Sequence, residues 1–367
     1  MNKKLIAIGI AAALAAPMVA QAGAEVYGGA RVSVDFNSNG DDNTGQEKSK
    51  MSVGSNGSYL GFRGDEDLGN GLSALYQLET NVDWDTGQAF NGMRPTNVGI
   101  SGGFGTVLAG TFDTPYMTAT DRYDIFADTK GDYNAIMGAF GGAQIYDSRV
   151  ANTLVYATPD LSGFVGEAAY VTPDSSTGND NLPISKTANK RDAYSLSGNY
   201  DQGPLSLAAA YQVASNQGDT KTGSTTPDDV TGWKVGGSYT IMDATTIALI
   251  YENIDVGGDT KDRNAYYVNV SHKIGDTTLK LAYANADKCG GTTSNCSSTG
   301  ASQASVGVSQ NLSKNTEVYA LYTLVSNDNN ADYQLAYGPV APVTKIDGTM
   351  SDVSSFSIGV NHAFSSK

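Results

Sequence analysis

The chain of 367 residues is poor in cysteine, histidine and charge, and each shortage excludes a class of protein. Two cysteines cannot build the disulfide framework that replaces a core in small secreted domains, and two histidines add too little for a zinc site. Charged residues make up 17% of the chain, and acids exceed bases by 38 to 23. The formal net charge of −15 argues against a nucleic-acid partner, so no nucleic-acid role is expected.

A long apolar run is missing everywhere except at the N-terminus. There Lys3 and Lys4 precede a charge-free stretch, 5–20, that ends in the small residues Ala20 and Ala22. The stretch is shorter than the ~20 residues that a membrane-spanning helix needs, whereas its layout is typical of a secretory signal peptide. The sequence predicts a signal peptide over 1–22, with cleavage after Ala24 as the second choice, and one mature domain over 23–367.

The mature chain alternates apolar and polar residues, which is the period of a β-strand. In 205–211, Leu205, Leu207 and Tyr211 share one face, while serine and alanine occupy the other. A soluble sandwich shows the same alternation. Polar faces rich in glycine, serine and threonine, aromatic residues near the strand ends, and short turns alternating with long loops favour a barrel in a membrane.

Sixteen such segments can be counted. The number is even, as in bacterial outer-membrane barrels, and a barrel of sixteen strands is wide enough to enclose an aqueous channel. We therefore predict an all-β fold, a transmembrane antiparallel β-barrel of sixteen strands. Residues 48–56 could extend the second strand. The predicted strands are 25–36, 57–66, 71–82, 94–102, 105–112, 149–159, 163–173, 192–201, 204–216, 230–241, 244–256, 264–274, 277–288, 301–311, 316–327 and 353–364.

The segment SYLGFRGDEDLGNGLSALYQLE, residues 58–79, resembles the Gram-negative trimeric general-diffusion porins. The resemblance continues through five shorter motifs at 94–102, 110–116, 149–156, 311–316 and 362–364. It implies a homotrimer in the Gram-negative outer membrane that passes ions and small hydrophilic solutes by passive diffusion. Implied partners are outer-membrane lipid, lipopolysaccharide and the outer-membrane assembly machinery.

The chain departs from that family's pattern at three places. Tyr59 and Thr111 stand where the family usually has arginine, so the resemblance does not carry an anion preference to this chain. The family usually ends on an aromatic residue used in membrane insertion, whereas Phe364 is followed by three more residues. Either this overhang is tolerated or the insertion signal is weakened.

The stretch 113–148 is too long for an idle connection, and the resemblance makes it the third loop, folded into the lumen as a constriction. Six aspartates face two bases in it, a charge of −4. Acids on this loop and bases on the wall would create an electric field across the pore. Because the loop is acidic and two arginine positions of the family are lost, we predict a weak preference for cations. The constriction candidates are Asp113, Asp121, Arg122, Asp124, Asp128, Lys130 and Asp132, and the wall candidates are Arg31, Arg63, Arg94 and Arg149; Asp147 is the sixth aspartate of the stretch. For any single aspartate, a role in solvating a surface loop is an equal alternative.

Three smaller expectations complete the sequence-based account. Cys289 and Cys296 are predicted to form a disulfide in an external loop, with no metal and no cofactor bound. His272 and His362 fall on the apolar face near strand ends, and no nucleophile motif accompanies them, so no enzyme is expected. A substrate-specific channel and a non-channel surface barrel or adhesin remain alternatives.

Overall fold

Antiparallel pairing between consecutive strands organises the computed structural model. It describes residues 24–39, 49–92, 94–144, 146–172, 192–215, 228–258, 262–291, 296–337 and 348–366. Residues 1–22, the predicted signal peptide, lie outside the described residues. Within the described residues, no helix combines the length and hydropathy required to span a membrane.

The described residues form sixteen barrel strands, as predicted. Eighteen hydrogen-bonded segments make sixteen strands because β2 and β4 each consist of two segments. The strands are β1 (Glu25–Ser38), β2 (Ser49–Ser55 and Tyr59–Gly69), β3 (Leu72–Asp83), β4 (Gln88–Asn91 and Thr96–Gly102), β5 (Gly105–Asp113), β6 (Arg149–Ala157), β7 (Phe164–Val171), β8 (Ala193–Gln202), β9 (Leu205–Ala214), β10 (Val230–Ile241), β11 (Thr245–Asp255), β12 (Asp262–Ile274), β13 (Thr277–Ala286), β14 (Ala301–Asn311), β15 (Thr316–Asn327) and β16 (Val353–Ser365).

The sheet closes because β1 pairs with β16 from Tyr27 opposite Ser365 to Ser38 opposite Ser354. This register carries β16 past Phe364, and the Ser366 N–H donates to the Val26 carbonyl. Closure leaves no exposed sheet edge among the sixteen described strands, which is the condition for β-structure to sit in lipid. The first two residues of the overhang thus continue the seam.

The two faces of the wall separate as the alternation predicted. On β16, Phe356, Ile358 and Val360 are 39–52% exposed, while Ser355 and Ser357 are fully buried. Large apolar side chains therefore point outward, toward lipid, and small polar ones point inward. Outward aromatic residues near the long-loop end include Phe36, Tyr194, Tyr211, Trp233, Tyr251, Tyr266, Tyr283 and Phe356, and those near the short-turn end include Tyr76, Phe104, Tyr156, Phe164 and Tyr239.

Two predicted strands have a further segment in the structure. The second strand was expected over 57–66 with 48–56 as an extension; β2 does include the segment Ser49–Ser55, and a break at 56–58, which was not expected, separates its two parts. At the break the buried Asn56 side chain turns inward and donates to the Ser33 hydroxyl at 2.9 Å. The fourth strand, expected over 94–102, also has an additional first segment, Gln88–Asn91, and both of its segments pair with β3.

Candidate functional site

The connection between β5 and β6 folds into the barrel and carries most of the irregular structure inside it. It begins with helix α1 (Pro115–Asp121), where Thr114 caps the first turn by accepting from the Met117 N–H and proline occupies the first position. A 3₁₀ turn, Tyr133–Ala135, follows with Asp132 as its cap. Because they lie inside the lumen, we call its described residues, 114–144 and 146–148, the inner loop.

One side of the inner loop is buried against the inner faces of β8 to β15. Tyr116, Tyr133, Ile136 and Met137 are at most 1% exposed and pack with inward residues of these strands. Small side chains on the wall, alanines above all, make room for the loop's rings. The loop is therefore packed onto one half of the wall instead of hanging free.

A fully buried carboxylate on β11 fixes the middle of the inner loop. Glu252 accepts hydrogen bonds from the Gly138 N–H at 2.9 Å and the Tyr116 hydroxyl at 3.1 Å, and pairs with Arg263 of β12 at 2.9 Å. Arg263 also donates to the Ile136 carbonyl at 3.2 Å. We call Glu252, Arg263 and these loop groups the latch.

A second buried pair holds the end of the inner loop. Lys234 of β10 lies 2.7 Å from Asp147, and both side chains are inaccessible to solvent. The second oxygen of Asp147 accepts from Asn134 at 2.9 Å and from the Tyr133 hydroxyl at 3.1 Å. Alternation along β10 and β11 places Lys234 and Glu252 on the inward face, but it carries no information about these distant loop partners.

All four wall arginines carry a carboxylate partner. Their exposed fractions run from 14% for Arg94 to 49% for Arg63, so they keep contact with solvent. The pairs are Arg31 with Asp128 at 2.9 Å, Arg63 with Glu25 at 2.8 Å, Arg94 with Glu79 at 3.0 Å, and Arg149 with Asp113 at 2.7 Å. Two of these carboxylates, Glu25 and Glu79, belong to strands β1 and β3 and lie outside the acidic stretch 113–148.

Tyr59 lies between two of these guanidinium groups. The guanidinium carbon atoms (Cζ) of Arg94 and Arg31 are 4.6 Å and 5.2 Å from the centre of the Tyr59 ring. Arg63 stacks similarly on Tyr27 at 4.5 Å. Cation–π contact offsets part of the repulsion between like charges, so tyrosine at a position where the family usually has arginine still organises the wall cations.

Burial changes the protonation of the inner-loop acids. Desolvation raises the pKa of Asp124 to about 6, against hydrogen bonds from the Tyr133 and Phe126 N–H groups and the Tyr267 hydroxyl, which favour its charged form. Desolvation also raises the pKa of Asp121, Asp132 and Asp147. The loop therefore carries less negative charge near neutral pH than its composition suggests.

The remaining loop candidates lie in different surroundings. Lys130 is 1% exposed and lies 3.9 Å from Asp35 of β1, and Asp132 is 5% exposed. Arg122 pairs with Asp201 of β8 at 2.6 Å. Asp128 alone combines contact with a wall arginine and a side chain that is 31% exposed.

The two cysteines lie outside this region, in the connection between β13 and β14. Cys289 and Cys296 are bonded, with their Cα atoms 5.0 Å apart. Cys289 N–H donates to the Thr299 hydroxyl, which keeps the bridge close to the start of β14. The bridge joins two ends of one loop and crosses no strand pair.

Comparison with known proteins agrees with this architecture. The sequence profile of the Gram-negative porin family matches residues 7–330. Outer membrane porin protein 32 of Delftia acidovorans is 31% identical over 381 aligned positions, which cover 99% of this chain and 100% of that protein. Among solved structures, the anion-selective porin from Comamonas acidovorans has a TM-score of 0.75 at 26% identity, covering 94% of this chain and 100% of that one. OmpT of Vibrio cholerae, in its trimer form, matches with a TM-score of 0.65 at 21% identity, covering 94% and 100%.

The profile match and the full-length relative agree with the closed barrel and its inward-folded loop, and together they point to a channel and not to an enzyme. The chain belongs to the Gram-negative porin family and is an outer-membrane β-barrel.

Proposed function

We propose that this porin is a general-diffusion channel, a water-filled path for ions and small hydrophilic solutes. The observation that carries the proposal is that buried ion pairs of Glu252 and Lys234 hold the inner loop on β10 to β12, while the four wall arginines on the β1 to β6 side stay accessible to solvent. An accessible charged wall beside a fixed loop is the arrangement of a hydrated, permanently open path.

A weak cation preference is part of the proposal. Each wall arginine has a carboxylate within 3.0 Å, so the field of the cations is largely cancelled at short range. Asp124 of the inner loop, which is largely ionised above its pKa of about 6, has no cation within ion-pair distance among the described residues, which leaves a small excess of negative charge. Screening over a Debye length of ~8 Å keeps the preference modest.

An anion preference is the second candidate. The Comamonas relative is described as anion-selective, and this chain also has four arginines on the wall. The reversal potential under a potassium chloride gradient separates the two candidates. A reversal potential with the sign of the potassium equilibrium potential supports the cation proposal. A reversal potential with the sign of the chloride equilibrium potential supports the second candidate.

We also propose a homotrimer whose contact surface includes β2 and the β3–β4 hairpin. The row of outward aromatic side chains around the long-loop end is interrupted at β2, where the aliphatic Met51 and Val53 are 65% and 52% exposed. At the neighbouring hairpin Trp84 and Phe90 project with exposures of 55% and 75%. A second copy of this chain would cover this aliphatic surface and these projecting rings.

Replacing Trp84 and Phe90 together by alanine tests the contact surface. The variant is expected to migrate as a monomer after extraction in mild detergent, whereas Trp233→Ala on the distant β10 keeps the trimer. A trimer that withstands the double replacement, or a wild-type protein that is monomeric, contradicts this assignment.

Three further proposals concern targeting and solutes. Removal of 1–22 predicts a mature N-terminus at Gly23, which mass spectrometry of the purified protein measures. The assembly machinery would recognise the β1–β16 seam beyond Phe364, and lipid and lipopolysaccharide would contact the outward apolar band.

The size dependence of solute entry separates a general channel from a substrate-specific one. In liposome swelling, a general channel shows rates that fall smoothly with sugar size, whereas saturation by one solute would indicate a substrate-specific channel.

A further inference from the structure

The connection between β15 and β16 sends its first residues into the lumen, along the inner loop. Ala331, Tyr333 and Leu335 are at most 4% exposed and pack with the loop's buried residues, while Asp332 and Gln334 are exposed. This alternation describes an extended segment with one face laid on the inner loop. We call 328–337 the strap.

Backbone contacts fix the upper part of the strap. The Asn327 side chain donates to the Tyr333 carbonyl at 3.0 Å and accepts from the Tyr333 N–H at 2.9 Å. On the loop side, a Cβ built on Gly142 would lie 2.0 Å from the Asp332 carbonyl oxygen, so the two backbones touch. The strap is thus held between β15 and the tip of the inner loop.

The strap reaches the charged groups Asp128, Lys130 and Arg31 through Tyr337. The Tyr337 hydroxyl donates to Asp128 at 3.1 Å, and the Lys130 ammonium donates to the Tyr337 carbonyl. On the other side, the Tyr337 ring lies 3.2 Å from a Cβ built on Gly57, in the break of β2. The Gly57 carbonyl in turn accepts from Arg31 at 3.1 Å. Tyr337 therefore touches the inner loop and the opposite wall at once.

Both partners of this contact adopt a backbone conformation that side chains other than glycine rarely take. The φ angle is +51° at Tyr337 and +56° at Asp128. Such residues cost of order 1–3 kcal/mol each and persist where surrounding contacts fix them, commonly at functional positions. The paired conformations aim the Asp128 carboxylate at both Tyr337 and Arg31.

We propose that Tyr337 is a specificity-determining residue of this channel. Its ring narrows the lumen between the inner loop and the break in β2, and its hydroxyl holds the Asp128 carboxylate on Arg31. The ring sets the size of the opening, and the hydroxyl sets how completely the Arg31 charge is cancelled. This inference rests on the proposed diffusion function and assigns part of its selectivity to a residue outside the inner loop.

Two variants separate the ring from the hydroxyl. Tyr337→Phe keeps the ring, so conductance stays at the wild-type value; loss of the hydrogen bond frees Asp128 and shifts the permeability ratio toward anions by about twofold. Tyr337→Ala removes both groups, so single-channel conductance rises and the same shift appears. Tyr322→Phe, which removes a hydroxyl from a lipid-facing ring on β15, serves as the matched control and changes neither quantity.

The wild-type recording distinguishes this inference from the proposal on which it rests. A folded wild-type protein that passes no current refutes the diffusion function itself. A conducting wild type with Tyr337→Phe unchanged in permeability ratio overturns the specificity role, even if Tyr337→Ala widens the pore. The phenylalanine variant is isosteric, so it tests the inference even if Tyr337→Ala fails to fold.

Discussion

Removing the latch carboxylate should release the inner loop without opening the barrel. In Glu252→Ala, Arg263 keeps its positive charge at 1% exposure but loses its only ion-pair partner among the described residues. The Gly138 N–H and the Tyr116 hydroxyl lose their acceptor at the same time. The strand ladders do not depend on these groups, so the loss falls on the loop.

The magnitude follows from the buried pair. Deleting one partner of a buried ion pair costs about 3–5 kcal/mol, because the remaining charge is uncompensated. Taking the lower figure, the population with a released loop rises on the order of 100-fold, since ~1.4 kcal/mol corresponds to a factor of ten. The orphaned donors act in the same direction, and their contributions do not simply add.

Limited trypsin digestion of the folded protein in detergent measures this population. Lys130 is 1% exposed in the inner loop, so cleavage after it requires loop release. The rate of that cleavage should rise on the order of 100-fold in Glu252→Ala, and single-channel currents should become noisier. Glu66→Ala, which changes an exposed acid near a short turn of β2, provides the control.

A double-mutant cycle completes the test. Glu252→Ala with Arg263→Ala removes the uncompensated guanidinium, so cleavage should be slower than in Glu252→Ala alone. If the single variant is cleaved at the wild-type rate, or if the two replacements are simply additive, the latch does not hold the loop through this ion pair.

Three further predictions follow from the same geometry. Because burial raises the pKa of Asp124 to about 6, the loop gains negative charge as pH rises from about 5 to 7, so the reversal potential should move toward the potassium value; a flat profile would contradict this. The raised pKa also means that the folded state binds more protons than the unfolded chain, so packing of the loop should weaken over the same rise. Arg149→Gln leaves Asp113 unpaired and should increase cation permeability by about twofold at moderate salt, whereas an increase in anion permeability would refute the pairing argument. Reduction of the Cys289–Cys296 bridge should leave conductance and heat-modified gel mobility unchanged, because the bridge lies within one loop; loss of the folded band would contradict that expectation.

The strands were predictable because a barrel wall between lipid and a polar lumen requires apolar and polar side chains to alternate along each strand. Lipid outside and polar surroundings inside force alternation, and β10, β14 and β15 coincide with the predicted 230–241, 301–311 and 316–327. The break at 56–58 was not predictable, because it depends on Asn56 finding Ser33 and Tyr319 on other strands. Local pattern carries no information about such distant partners.

The site was predictable only in its parts. Length and resemblance indicated the inner loop, and parity indicated Arg31, which the structure places 2.9 Å from Asp128. The sequence could not show which acids are buried, because Glu252 contacts Gly138 across 114 positions of chain. Tyr337 carried no signal at all, since it follows an irregular segment whose burial comes from the inner loop.

Planar-bilayer recording of the detergent-purified protein under a salt gradient tests the central claim most directly. The proposed trimer predicts stepwise insertions that close in three equal sublevels, and the proposed cation preference predicts a small reversal potential of the sign set by cations. A folded protein that stays silent would contradict an open diffusion channel, and a reversal potential set by anions would contradict the assignment of the net charge to paired wall arginines and an unpaired Asp124.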